Sequence, residues 1–440
     1  MLKPTSRLIG TLLFLSTLIF AGFNPGVSSA QDGLEYQPPS VLIPIDLIGV
    51  FNRYNLVIPT FQPIVPAAPV GTDILVLQRR LSANLDMTGY FQLLDPRSSL
   101  ETNPRAGLSP ENPLDYAPWA QIGANYVIKG AAELRGARLT LEMRLFDVAT
   151  GTQKLAKRYT GPLAEGRTMI NRFTNEVLLA VTGTPGVFGS KIVFLSGASV
   201  MLTELGADDA TGVSGSRAAK ANFPTIGHGD RLAWTRLNGK RWELVSDNRV
   251  LYSGELVVAP AFMPDGTLAA GLSGPNSTNI AIFDSKNPRV ITGGGQIEIS
   301  PTFSPDGSLM AYVSDQAGTA GIYVAPSSGG QGRRLSPPGK STDPSWSPKG
   351  DKIAFVTRET DICVINVDGS GFVQLTGGQG TNRHPSFSPD GRMIVFYSNR
   401  GGRNQLYVMA ANGDRQQPLI PDFRGDQTLP TWSPDMPAMQ

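Results

Sequence analysis

The sequence predicts an α/β N-terminal domain followed by an all-β six-bladed propeller, its ring closed by the C-terminal strand pairing in the first blade. Three observations carry this reading. One stretch recurs five times: Ala259-Pro-Ala-Phe-Met-Pro-Asp-Gly266, Ser300-Pro-Thr-Phe-Ser-Pro-Asp-Gly307, Asp343-Pro-Ser-Trp-Ser-Pro-Lys-Gly350, His384-Pro-Ser-Phe-Ser-Pro-Asp-Gly391 and Leu429-Pro-Thr-Trp-Ser-Pro-Asp-Met436. A worn copy, Phe223-Pro-Thr-Ile-Gly-His-Gly-Asp230, precedes them. Their leading prolines (224, 260, 301, 344, 385, 430) recur at a period near forty residues, the spacing of a propeller or similar array. Three further strand-like segments follow the intact internal copies, which makes four strands per unit. The last copy has no room for such strands before Gln440, whereas the strand-like segments 191–195 and 200–204 lack a motif. Joining the C-terminal strand to those segments completes a sixth blade and leaves only short protected edges.

The motif itself is readable as local chemistry. Ser-Pro-Asp-Gly suits a type I turn, with proline presetting φ at the second position and glycine at the fourth. The leading proline has no N–H to donate, so its strand belongs at a sheet edge, which is where the innermost strand of a blade lies. One aromatic residue per copy (Phe262, Phe303, Trp346, Phe387, Trp432) anchors that strand.

In chain order, residues 1–30 read as a cleaved secretory signal. Lys3 and Arg7 form the positive end, residues 8–23 the apolar run, and Ser28-Ser29-Ala30 the cleavage site. The run is short for a membrane anchor, the rival reading. Residues 31–182 form the N-terminal domain, beginning with a mobile polar tail, and 183–440 the propeller. Within the first, 55–61 reads as a strand and 74–88 as a helix capped by Asp73 and stopped at Gly89. Next come a strand over 90–94, a short helix within 114–122 with Trp119 inward, and a hairpin of 126–134 with 138–147. In the hairpin's second strand Leu139, Leu141, Met143 and Leu145 alternate with polar residues. A strand over 153–159 and a helix over 166–182, broken at Gly183, complete the domain.

Charge is balanced, 38 Lys and Arg against 36 Asp and Glu, so no strong field favours nucleic acid or anionic membrane. Cys363 is the only cysteine and reads as a buried strand thiol. The two histidines, His228 and His384, lie in different blades without metal-ligand spacing. No nucleophile-elbow or phosphate-loop motif occurs, and no cofactor is predicted. The repeated Asp265, Asp306, Asp390 and Asp435 read as turn residues, because Lys349 takes the same place. Binding is the favoured class. The segments ending just before the motif prolines are expected to be loops converging on the channel mouth: 221–222, 258–259, 299–300, 342–343, 383–384 and 428–429. Two other readings stay open: an exported hydrolase or lyase using the channel as its pocket, and a channel holding a structural cation through backbone carbonyls.

The motif copies, Asn404-Gln-Leu-Tyr-Val408, Phe146-Asp-Val-Ala-Thr-Gly151 and the junction 182–194 together resemble the TolB family, the periplasmic component of the Tol–Pal envelope system. The resemblance spans nearly all the chain after residue 30. It implies a non-catalytic protein of the Gram-negative periplasm with no transmembrane segment in its mature form. It also implies binding to the lipoprotein Pal through a propeller face and to TolA through the mature N-terminus, with other outer-membrane proteins as further partners. The implied role is outer-membrane integrity and constriction at cell division. By position, the Pal-facing residues are Asn222, Ala259, Ser300, Thr342, Asp343, Arg383, His384 and Thr428. The TolA contact falls on Gln31, Asp32, Leu34, Glu35 and Tyr36.

Overall fold

The computed structural model describes residues 53–437 apart from 67–70, 214, 216–219, 275, 285–286 and 295–296. The predicted signal and the tail residues Gln31, Asp32, Leu34, Glu35 and Tyr36 lie outside the described residues.

The N-terminal part is a mixed sheet with three helices. Strands β1 (Tyr54–Val57), β3 (Phe91–Leu93), β4 (Tyr126–Arg135), β5 (Arg138–Asp147) and β6 (Thr152–Pro162) are arranged β3-β1-β4-β5-β6. The expected strand over 55–61 is shorter, ending at Val57, because Pro59 cannot donate to a ladder; a two-residue β2 (Gln62–Pro63) then pairs with β4. Helix α1 (Thr72–Met87) is capped by Gly71, not Asp73, which instead lies in the first turn, where its carboxylate favours the helix dipole. Gly89 does end it, with φ at +76°. The short α2 (Ala117–Gln121) buries Trp119, and α3 (Gly166–Thr182) ends at left-handed Gly183. Buried faces of α1 and α3 meet over the sheet, Asn84 donating to Asn171 at 3.0 Å. On the other side Lys129, 1 % exposed, pairs with Glu101 at 2.7 Å beside the Trp119 ring. Gly130 is required on β4 because a Cβ there would fall 2.4 Å from Phe61 Cε1.

Six four-stranded antiparallel sheets follow, five contiguous in sequence and one composite. Their inner strands are β8 (Ala221–Ile226), β9 (Val257–Phe262), β10 (Glu298–Phe303), β11 (Ser341–Trp346), β12 (Asn382–Phe387) and β13 (Thr428–Trp432). The composite blade sets β13 beside β7 (Lys191–Ser196), with Thr428 opposite Leu195 and Trp432 opposite Ile192. The turns are as the motif demands: Gly307, Gly350 and Gly391 donate to the carbonyls of Ser304, Ser347 and Ser388 at 2.8–2.9 Å. Asp306 and Asp390 brace their own turns by accepting from Ser304 and Ser388. Asp435 instead accepts from His228 and the Gly229 N–H of the neighbouring blade, latching the worn first turn to the last.

A second repeated bond had no place in the sequence reading. The hydroxyls of Thr302, Ser345 and Ser386 accept the backbone N–H of Trp346, Phe387 and Trp432 on the next inner strand. The small residue after the motif proline therefore stitches blade to blade.

Propeller and N-terminal part share one apolar core that runs from α1 and α3 through Phe188 and Phe194 to Met393 and Trp432. At its rim Arg415 pairs with Asp86 at 2.9 Å and Arg53 with Asp414 at 3.0 Å. Arg392 donates to Thr182 and lies over the Tyr90 ring.

Candidate functional site

The six inner strands wall a channel with a cavity of about 500 Å3, running from the residues before the motif prolines to the prolines of the turns. The expected loops at the channel mouth are not loops. Asn222, Ala259, Ser300, Thr342, Asp343, Arg383, His384 and Thr428 all lie within inner strands. The reason is a bulge repeated in every blade. Residues 343 and 344 together oppose Phe355, and the same two-against-one register recurs at 223–224, 259–260, 300–301, 384–385 and 429–430. The first bulge residue is left-handed each time without being glycine: Phe223, Ala259, Ser300, Asp343, His384 and Leu429 have φ of 47–55°. The strand thus survives on both sides of the proline, which the bulge places where a ladder donor is not needed.

This geometry divides the predicted residues into two sets. Ala259, Ser300, Asp343 and His384 line the channel, joined by Phe223 and by Leu429, which ended an expected loop but was not named as a site residue. Phe223 was missed because the first expected loop was ended at Asn222, one residue short of the position that aligns with Ala259 and Ser300. Asn222, Thr342, Arg383 and Thr428 occupy ladder positions opposite Thr235, Val356, Tyr397 and Leu195, one residue back from the channel lining.

Polar chemistry concentrates at the junction of two blades. His384 Nε2 lies 3.3 Å from Asp343 Oδ1, their side chains 24 % and 14 % exposed. The imidazole stacks on Tyr397, centroids 6.1 Å apart. Burial pushes the His384 pKa down, Asp343 opposes that and Arg383 adds to it. Burial likewise pushes the Tyr397 phenol up, so it stays protonated. Arg383 donates to the Glu359 carbonyl at 3.1 Å, with the Glu359 carboxylate 4.0 Å away and also bonded to Lys340. Cys363 is fully buried and burial pushes its thiol up to about 12, which keeps thiolate chemistry out of reach at neutral pH. Among the described residues no group of three or more His, Cys, Asp or Glu is placed to hold a metal ion, and no helix is long and apolar enough to cross a membrane.

With that geometry in view, the comparisons with known proteins agree. The family model described as the TolB beta propeller domain matches residues 179–436, and that of the TolB amino-terminal domain matches 48–154. "Protein TolB homolog" of Chlorobium luteolum is 34% identical over 375 residues, covering 81% of this chain and 85% of that protein. "Tol-Pal system protein TolB" of Desulfosudis oleivorans is 34% identical over 169 residues, which span 36% of this chain and only 37% of that relative's length. The crystal structure of TolB from Acinetobacter baumannii aligns with a TM-score of 0.72 at 21% identity, over 86% of this chain and 96% of that one, and so shares the fold. A propeller model matching more than half the chain and a relative spanning four-fifths of it place the protein: it belongs to the TolB family of the Tol–Pal system.

Proposed function

We propose that the chain is a non-catalytic adaptor of the Gram-negative periplasm that binds Pal through the bulged rim of its propeller channel. In this reading residues 31–182 and 183–440 act as its two domains, and Gln31, Asp32, Leu34, Glu35 and Tyr36 carry the contact to TolA. The role served is outer-membrane integrity and constriction at division. The observation that supports it is the rim itself: six divergent side chains held at equivalent points by the same strained bulge, on a rigid scaffold. A few such anchors, not total area, would set affinity. The hydrolase or lyase reading draws on the His384–Asp343 pair, beside which stand the Tyr397 phenol, held protonated by burial, and the Arg383 guanidinium.

Affinity capture tests the proposal. The mature chain is expected to retain purified Pal, and Arg383→Ala with His384→Ala to weaken retention about tenfold, two anchors at roughly 1 kcal/mol or less each. A chain lacking residues 31–40 should keep Pal and lose TolA. Unchanged Pal retention by the folded double variant removes these residues from the site, and no retention by the unaltered chain removes the function.

A further inference from the structure

Read round the ring from the closing blade, the six left-handed rim residues are Leu429, Phe223, Ala259, Ser300, Asp343 and His384. Three consecutive apolar side chains are followed by three consecutive polar ones. In a six-membered ring this sets Phe223 across from Asp343 and Leu429 across from Ser300. The rim therefore has an apolar arc facing a polar arc. Asp343 is the only carboxylate among the described lining residues, and no lysine or arginine is among them. The walls below combine the motif prolines with Ser and Thr side chains and five aromatic residues, of which Phe303, Trp346, Phe387 and Trp432 are buried.

A carboxylate in a partly enclosed channel acts more strongly on a nearby charge than one in bulk water. It disfavours an anionic ligand and leaves a purely apolar one facing an unmatched polar arc. Lysine and arginine meet both arcs, since each carries a charged head on a hydrocarbon stem. The geometry points to one lysine or arginine side chain of a partner protein entering the channel, its head on Asp343 and its stem on the half-buried Phe223. This rests on the reading of the channel rim as a docking face and names the group that docks.

His384 sets a condition on it. Its Nε2 is already 3.3 Å from Asp343 Oδ1, so a protonated imidazole matches the carboxylate internally and competes with an incoming cation. The groups acting on the imidazole are Asp343 from β11, Tyr397 from the strand 393–398, and Arg383 from its own strand, the last tied to Glu359. Cation binding should therefore weaken as the pH falls and His384 takes up its proton.

The test is titration of the mature chain with N-acetyl-lysine methylamide and, separately, its uncharged isostere N-acetyl-norleucine methylamide, followed by isothermal calorimetry. The lysine derivative is expected to bind about tenfold more tightly, a difference near 1.4 kcal/mol. Asp343→Asn should abolish the preference, Asp343→Glu should keep part of it, and His384→Gln should flatten its pH dependence. Equal binding of both probes, binding of neither, or a preference that persists in Asp343→Asn would overturn the inference. Pal capture, run alongside, separates the two claims. Pal retained without amine preference sinks this inference alone, and amine preference without Pal sinks the assignment of Pal as the partner while supporting the site.

Discussion

Closure of the ring concentrates on Trp432, and replacing it tests the architecture most directly. Its side chain is 4 % exposed within the core that also holds Ile192, Phe194 and Met393. Its indole N–H donates to Ser190 Oγ at 2.7 Å, and its backbone N–H to Ser386 Oγ at 3.0 Å. Trp432→Ala removes the buried ring and the indole bond but not the backbone bond. Truncating a buried tryptophan costs about 4 kcal/mol, roughly 1 of which belongs to the hydrogen bond. Ser190 still donates to the Val187 carbonyl, so no further penalty arises there. Trp432→Phe should then cost only about 1–2 kcal/mol, by keeping most of the ring. Guanidinium unfolding followed by circular dichroism reads both. Because one core joins the N-terminal part to the closing blade, the unaltered protein should unfold in a single transition. Trp432→Ala should lower its midpoint and, by exposing the β7 edge, speed proteolysis in blade one. A loss below about 1 kcal/mol for Trp432→Ala would show that the last strand is not a keystone of the ring.

Three further outcomes follow from buried groups. Glu101→Gln leaves the Lys129 ammonium, 1 % exposed, without its counter-charge, and should cost about 3–5 kcal/mol. Adding Lys129→Met should restore most of that, as thermal unfolding of the single and double variants will show. Cys363 should resist iodoacetamide in the native protein at neutral pH and react once unfolded, because burial raises its thiol to about 12. His384 binds its proton less readily folded than unfolded. Stability should therefore decline as the pH drops below about 6.5, the unfolded value, and level off below the depressed folded one. His384→Gln should remove that part of the slope in urea titrations across this range. An unchanged slope would place the imidazole in water.

The blades were legible because their information is local. In Ser304-Pro-Asp-Gly307 each residue type performs its turn role within four positions, and the Gly307 N–H closes the turn on the Ser304 carbonyl at 2.8 Å. Closure was legible from strand counting, since residues 429–433 lacked partners and 191–195 lacked an inner neighbour. Two features were hidden for a common reason: nothing local favours them. A residue before proline is sterically pushed toward extended backbone. Phe223, Ala259, Asp343, His384 and Leu429 nonetheless sit at positive φ, a conformation that costs such residues roughly 1–2 kcal/mol each. The hydroxyl stitches from Thr302, Ser345 and Ser386 likewise join residues more than forty apart in sequence, so no window of the chain displays them.

Those two features explain each other. A bulge in an isolated edge strand would relax toward ordinary extended backbone, because neither the proline nor its neighbour gains a ladder bond by staying bent. In the ring, the hydroxyl one position past each of Pro301, Pro344 and Pro385 is held by the next blade's N–H, which pins the strand on the far side of the bulge. The ladder pairs Ile299–Val313, Thr342–Val356 and Arg383–Tyr397 pin the near side. With both sides fixed, the left-handed residue between them is left to face the channel, and its identity is released from the demands of sheet pairing. That is why one position can be Phe, Ala, Ser, Asp, His and Leu in six copies of an otherwise repetitive motif. Variation confined to a place where the backbone is uniform and strained is what a recognition surface needs. It is also why the channel rim, not the outer loops, is where a partner should be sought.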